Sequence, residues 1–181
     1  WLHLEFHGKL AYPRPYEPRI PSLWERAKIK EITQQNVLFL SPEDTLLSLV
    51  FHLRSHTRRL ALKFIMDIAV LVNKQGDSLD WDYILATART NHIAHALYFF
   101  LYLGQELLLA KVPEAILRRI RPSRLVDACM QKTMNRHNFL AAQAWQGVLT
   151  RLLIFDQAQD LPLYFWRVLV LERRLVTSFF K

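Results

Sequence analysis

From Thr90 to Gln105 the chain runs sixteen residues without an Asp, Glu, Lys or Arg, and the centre of the run, Ile93-Ala94-His95-Ala96-Leu97-Tyr98-Phe99-Phe100-Leu101-Tyr102-Leu103, is almost wholly apolar. Such a segment has to leave water. A bilayer span takes about 20 predominantly apolar residues, whereas this run holds His92 and His95 and closes on Gln105-Glu106. The segment is therefore predicted to be the central helix of a soluble core, roughly Ile93 to Ala110, with no membrane partner. Hydrophobic residues form 51% of the chain and aromatics 12%, enough to surround that helix and to exclude a disordered or collagen-like polymer. Four glycines leave little room for a long glycine-rich phosphate loop. The single Cys129 excludes an internal disulfide, and no Cys/His cluster has zinc-finger spacing, so a reducing, cytoplasmic setting is expected. Trp1 opens the sequence without a basic leader or a small-residue cleavage site, which reads as a fragment or processed chain.

Before the helices lies a different kind of sequence. Trp1 to Leu10 alternates, with Leu2, Leu4, Phe6 and Leu10 on one side and His3, Glu5, His7 and Lys9 on the other. That period of two predicts a half-buried strand. Pro13, Pro15, Pro18 and Pro21 then impose an extended connector, because proline lacks the N–H that a helix or central strand needs. Lys28 to Leu40 allows one or two short strands or a turn.

At Ser41-Pro42-Glu43-Asp44 the character changes. A hydroxyl cap, a proline at the first helical position and two carboxylates at the positive end of the dipole mark a helix start. Apolar periodicity continues through Leu46, Leu47, Leu49, Val50 and Leu53, and then through Leu60, Leu62, Phe64, Ile65, Ile68 and Leu71 to a stop near Gly76. Ser78 or Asp80 can cap a third helix through Trp81, Ile84, Leu85 and Ala88. After the central helix, Pro113 opens a short helix that Pro122 closes, and further helices are expected over about Leu125 to Arg136, Phe139 to Phe155 and Leu163 to Phe179. The expected fold class is mainly α, a bundle-like helical body (41–181) behind a short β element and proline-rich connector (1–40).

The motifs Leu4-Glu5-Phe6-His7, Ser41-Pro42-Glu43-Asp44, His52 and His56, Asp67, Leu79-Asp80-Trp81, Ala88 and Val112-Pro113, in that order, resemble the uncharacterised nucleotidyltransferase-like proteins of bacteria, a branch of the DNA-polymerase-β-like superfamily. The resemblance runs from about Trp1 to Pro122. It implies a mixed α+β catalytic core with a glycine turn and an Asp-x-Asp strand, followed by a helical half. Neither the glycine turn nor a strand-borne Asp-x-Asp is present here, since Asp80-Trp81-Asp82 falls at a helix start. The resemblance thus implies the last catalytic strand and the helical half, with the missing core upstream. It also implies Mg²⁺ as cofactor, because two-metal phosphoryl chemistry needs several converging carboxylates. Glu5 lies on the strand's polar face, where a third carboxylate would sit. It reads either as metal-holding and catalytic or as a solvated strand residue, and His7, on the same face, as solvated.

His52 and His56 stand one helical turn apart and could share a face, but Leu53-Arg54-Ser55 between them lacks the metalloprotease Glu. A buried, structural hydrogen bond from either to Asp67 is preferred to a metal site. Asp80 reads as a cap and Trp81 as a core anchor. Basic clusters at Arg54, Arg58, Arg59, Lys63 and at Arg118, Arg119, Arg121, Arg124 fit phosphate contacts or plain solvation. Two functions follow from these residues. One is a nucleotidyltransferase part that works on an NTP and an unknown acceptor and is silent as this chain alone. The other is a non-catalytic helical module that binds a protein or nucleic acid through its basic faces.

Overall fold

The computed structural model describes residues 23–55, 62–133, 153–156 and 162. The predicted strand with Glu5 and His7, the proline connector, His56, Arg58 and Arg59 lie outside these residues, as do the predicted last helix and nearly all of the one before it.

The Lys28–Leu40 stretch forms two strands. β1 (Lys28–Ile32) pairs antiparallel with β2 (Gln35–Phe39), with Ile32 opposite Gln35 and Lys28 opposite Phe39. The two-residue turn has Thr33 at φ 49° and Gln34 at φ 64°, the left-handed pair that suits the twist of a tight hairpin. Every residue of both strands is exposed.

Helices follow. α1 (Pro42–Ser55) starts where Ser41 Oγ accepts the Asp44 N–H at 3.1 Å and the Ser41 carbonyl accepts Thr45 N–H at 2.8 Å, so the hydroxyl cap read from sequence is the cap observed. α2 (Leu62–Gln75) ends in a 3₁₀ turn over Gly76–Ser78. α3 (Trp81–Thr90) begins at Asp80, whose carboxylate accepts Tyr83 N–H at 2.9 Å. α4 (Ala94–Leu108), α5 (Glu114–Ile120) and α6 (Arg124–Thr133) complete the described helices. The body is mainly helical, as the periodicity predicts.

α4 is the axis of that body, with α1, α2, α3 and α5 packed against it. It buries Ala96 to Leu101 consecutively, then Leu103 and Gly104, and a helix apolar all round can exist in water only when neighbours enclose it. Leu46, Leu47 and Val50 of α1, Ile65 and Ile68 of α2, and Ile84, Leu85 and Ala88 of α3 supply the enclosure, all at 0% exposure. Inside it Phe99 and Phe100 meet edge to face at 5.3 Å between ring centroids, the arrangement the ring quadrupoles favour. At fifteen residues α4 spans about 22 Å, short of the ~30 Å hydrocarbon core. No helix among the described residues is long and apolar enough to cross a membrane.

Candidate functional site

Three carboxylates organise the polar interior, and all three belong to helix ends. Asp44, in the first turn of α1, is fully buried. Arg26, just ahead of the hairpin, donates to it from Nε at 3.0 Å and from Nη2 at 2.7 Å. The Tyr83 hydroxyl on α3 donates at 2.7 Å and the Ser41 hydroxyl at 3.0 Å. Arg26 also donates to the Tyr83 oxygen, and its guanidinium carbon lies 4.1 Å from the centroid of that ring. With its oxygens so occupied, Asp44 has no lone pair to spare for a metal. The node is a clamp that holds the chain before β1 against α1 and α3. Burial, then the hydrogen bond to Asp44, pushes the Tyr83 hydroxyl up to about 12.

Asp127 on α6 is the second node. It accepts from the Tyr98 hydroxyl on α4, from Arg121 Nε at 2.8 Å and from Gln131 Nε2 at 3.1 Å. Desolvation by itself would raise its pKa, but the hydrogen bonds from Tyr98 and Arg121 together outweigh it, and the carboxyl titrates below its ordinary range. Burial, followed by the bond to Asp127, pushes the Tyr98 hydroxyl up to about 12.

Asp156 supplies the third. α4 has no capping side chain of its own at Ile93. Asp156 instead accepts Ala94 N–H at 2.7 Å and His95 N–H at 2.9 Å, placing a negative charge at the positive end of the central helix. His95 Nδ1 lies 3.1 Å from the Phe155 carbonyl, and Arg54 stacks over the Phe155 ring at 4.7 Å.

The sequence-predicted residues fall into this frame unevenly. Asp80 caps α3, and half-buried Trp81 packs on the core while its Nε1 donates to the Gly76 carbonyl at 3.0 Å. His52 is half-buried on α1. Asp67 is exposed on α2, which corrects the expectation of a buried carboxylate between the first two helices: the core face of α2 is taken by Ile65, Ile68, Ala69 and Val72, and Asp67 points off it. Glu5 and His56 lie outside the described residues. Among those residues no group of three or more His, Cys, Asp or Glu is placed to hold a metal ion.

Sequence reasoning missed the Asp44, Asp127 and Asp156 nodes. Asp44 was visible only as a dipole-facing carboxylate, since its partners Arg26 and Tyr83 stand 18 and 39 residues away. The one local signal was Arg121 six residues before Asp127, with Gln131 one helical turn after it.

A family model described as uncharacterised nucleotidyltransferase matches residues 2–109, more than half of the 181. No curated protein and no solved structure matches the chain. The matched span takes in the predicted strand, the hairpin and α1 to α4, and it stops at the left-handed Leu109 that ends the central helix.

Proposed function

This chain belongs to the uncharacterised nucleotidyltransferase family, and from that membership we propose that it is the helical part of an enzyme that transfers a nucleoside monophosphate from an NTP to an acceptor hydroxyl or phosphate. The carrying observation is the match over residues 2–109, which includes Leu4-Glu5-Phe6-His7. In the proposed reaction an acceptor oxygen attacks the α-phosphorus, and a new O–P bond forms as the bond to the bridging oxygen of the β-phosphate breaks. Pyrophosphate leaves, and a hydroxyl acceptor gives up its proton.

Mg²⁺ is the cofactor this chemistry implies, and it would offset charge on the phosphates. The described residues do not fit it. Asp44 is held by Arg26, Tyr83 and Ser41, and Asp127 by Arg121, Tyr98 and Gln131. The proposal therefore assigns metal holding to Glu5 together with carboxylates of an Asp-x-Asp strand that this sequence does not contain. The role of the described body is support. The Arg26 clamp fixes the chain immediately ahead of the hairpin against α1 and α3.

Pyrophosphate release tests this. The 181-residue chain with Mg²⁺ and each NTP should release none, and a longer protein carrying the Asp-x-Asp strand should release it. Glu5→Gln in the longer protein should lower turnover at least about a hundredfold, equivalent to ~2.7 kcal/mol, with an unchanged circular dichroism spectrum. Release by the short chain, or full turnover of Glu5→Gln, would overturn the assignment.

A further inference from the structure

Positive charge is segregated along this chain. The family-matched residues 2–109 hold 12 Lys and Arg against 11 Asp and Glu, close to neutral, while residues 110–181 hold 12 against 5. Within the described structure the excess is concentrated where α5 turns into α6. Arg118, Arg119, Arg121 and Arg124 fall between Ala115 and Val126 with no acid among them, and all four are exposed. Arg89, at the end of α3, joins them: it is exposed, and its Nη2 donates to the Arg119 carbonyl at 2.9 Å. Five exposed arginines thus lie at three helix ends, α3 touching α5 through Arg89 and the Arg119 carbonyl.

Two of the five are braced by carboxylates. Arg121 presents Nε and Nη2 to the buried Asp127, which Tyr98 and Gln131 hold in turn, yet its side chain stays 55% exposed. Arg119 is held by Asp82 at 2.6 Å and is 46% exposed. A guanidinium fixed along one edge has lost part of its rotamer freedom already and can offer its remaining N–H groups to a ligand at lower cost. Arg118 and Arg124 have no ion pair among the described residues.

We infer that the arginine surface formed by Arg89, Arg118, Arg119, Arg121 and Arg124 is a docking site for the phosphodiester backbone of a nucleic acid. All five cations are arginine, whose planar fork matches phosphate oxygens bidentately. A nucleic acid carries one negative charge per nucleotide along its backbone, a regular row of acceptors for several guanidiniums at once. The apolar side chains of α5 are already spent, because Ile116, Leu117 and Ile120 are buried in the body. On α5 and α6 the exposed large apolar side chain among the described residues is Leu125, at 76%, and a membrane-surface helix needs a whole apolar face free as well as the charge, so the surface offers charge without an insertion face. The stretch from Ala115 to Val126 that carries four of the arginines holds no aromatic residue to stack bases, so the contact proposed is through the backbone and independent of sequence.

This rests on the transferase reading only in naming a phosphate-bearing polymer as the class of acceptor, and binding is measured without NTP, so its failure is separable from failure of the transfer chemistry. The probe is a fluorescein-labelled 20-nucleotide single-stranded RNA, titrated with the 181-residue chain at several salt concentrations and read by anisotropy. Arg118→Glu/Arg124→Glu should bind at least tenfold more weakly at 0.1 M salt. Its slope of log affinity against log salt should fall by roughly 1.4, two phosphate contacts at about 0.7 each. Lys28→Glu/Lys30→Glu, the same charge change on the exposed hairpin, should stay within twofold of the parent. Equal loss in both variants, no loss in either, or no RNA binding by the parent overturns the inference. So does sedimentation with phosphatidylserine vesicles in the absence of RNA binding.

Discussion

The hairpin and α4 both carry large apolar side chains, and these meet opposite fates. Ile29 of β1 is 67% exposed and Leu38 of β2 55%, whereas Leu97 and Leu101 of α4 are at 0%. The difference lies in how many neighbours each element can recruit. α4 offers apolar side chains through its full circumference and draws four helices onto itself. A two-stranded sheet offers two faces and two open edges, and among the described residues nothing covers either face. Composition decides whether a segment needs burial, and topology decides whether it gets it.

The largest test of that contrast is truncation in the two regions. Phe100→Ala removes a fully buried ring in a close-packed core and should cost about 3–5 kcal/mol. Leu38→Ala on β2 should stay within about 0.5 kcal/mol. Chemical denaturation measures both, and comparable losses would mean that the hairpin belongs to the cooperative core. Arg26 is the link between the regions. Arg26→Ala leaves the fully buried Asp44 without its cation, at a cost of about 3 kcal/mol, the lower end of the range for a broken buried pair, because the Arg26 side chain is itself 30% exposed.

Next in size is Tyr98→Phe, which takes one donor from the buried Asp127 but leaves Arg121 and Gln131, so the loss should be ~1 kcal/mol. It also carries a pH signature. Tyr98 and Tyr83 titrate near 12 when folded and near 10 when unfolded. A folded pKa above the unfolded one means that the folded state holds more protons across that window, so the stability these groups contribute is complete below pH 10 and is lost between pH 10 and 12. The Phe variant should lose the Tyr98 share of that decline. Asp127 works at the other end of the scale: its depressed pKa makes its share complete above the usual carboxylate range and lost as pH falls below about 4. Asp156→Ala should cost about 1 kcal/mol, the ordinary worth of a helix cap, and amide exchange at Ala94 and His95 should rise first.

How much of this was legible depends on the reach of each signal. The start of α1 could be read because Ser41, Pro42 and Asp44 are contiguous, and α4 because its uncharged run admits no other reading. The Asp80 cap and the Pro113 helix start were local too. The cap on α4 could not be read at Ile93, because Asp156 stands 62 residues away from Ala94, and the Arg26 clamp was hidden for the same reason. The His52–Asp67 expectation misled because one-turn spacing fixes a helical face but not which face turns inward. On α2 the aliphatic residues claimed the inside and left Asp67 in water. For the hairpin, neither strand alternates, since Ile29 and Ile32 stand three apart and Val37, Leu38 and Phe39 are consecutive, so no reading of the strand residues fixes a buried face.

The smallest expected effect tests the hairpin itself. Thr33 and Gln34 both sit at positive φ, where an L-residue with a Cβ pays about 1 kcal/mol and a β-branched one is least at ease. Asn-Gly is the pair that this turn favours, so Thr33→Asn/Gln34→Gly should stabilise the hairpin by roughly 1 kcal/mol. That gain belongs to local structure with no buried face, and it should appear as slower amide exchange in β1 and β2. The global melting temperature should move by less than about 2 °C, since a domain of this size shifts by 2–4 °C per kcal/mol only when the change is felt by the cooperative unit. A melting temperature raised by the full 2–4 °C would mean that the exposed strands and the buried helices unfold as one, and the contrast between the two regions would then be one of solvent contact alone.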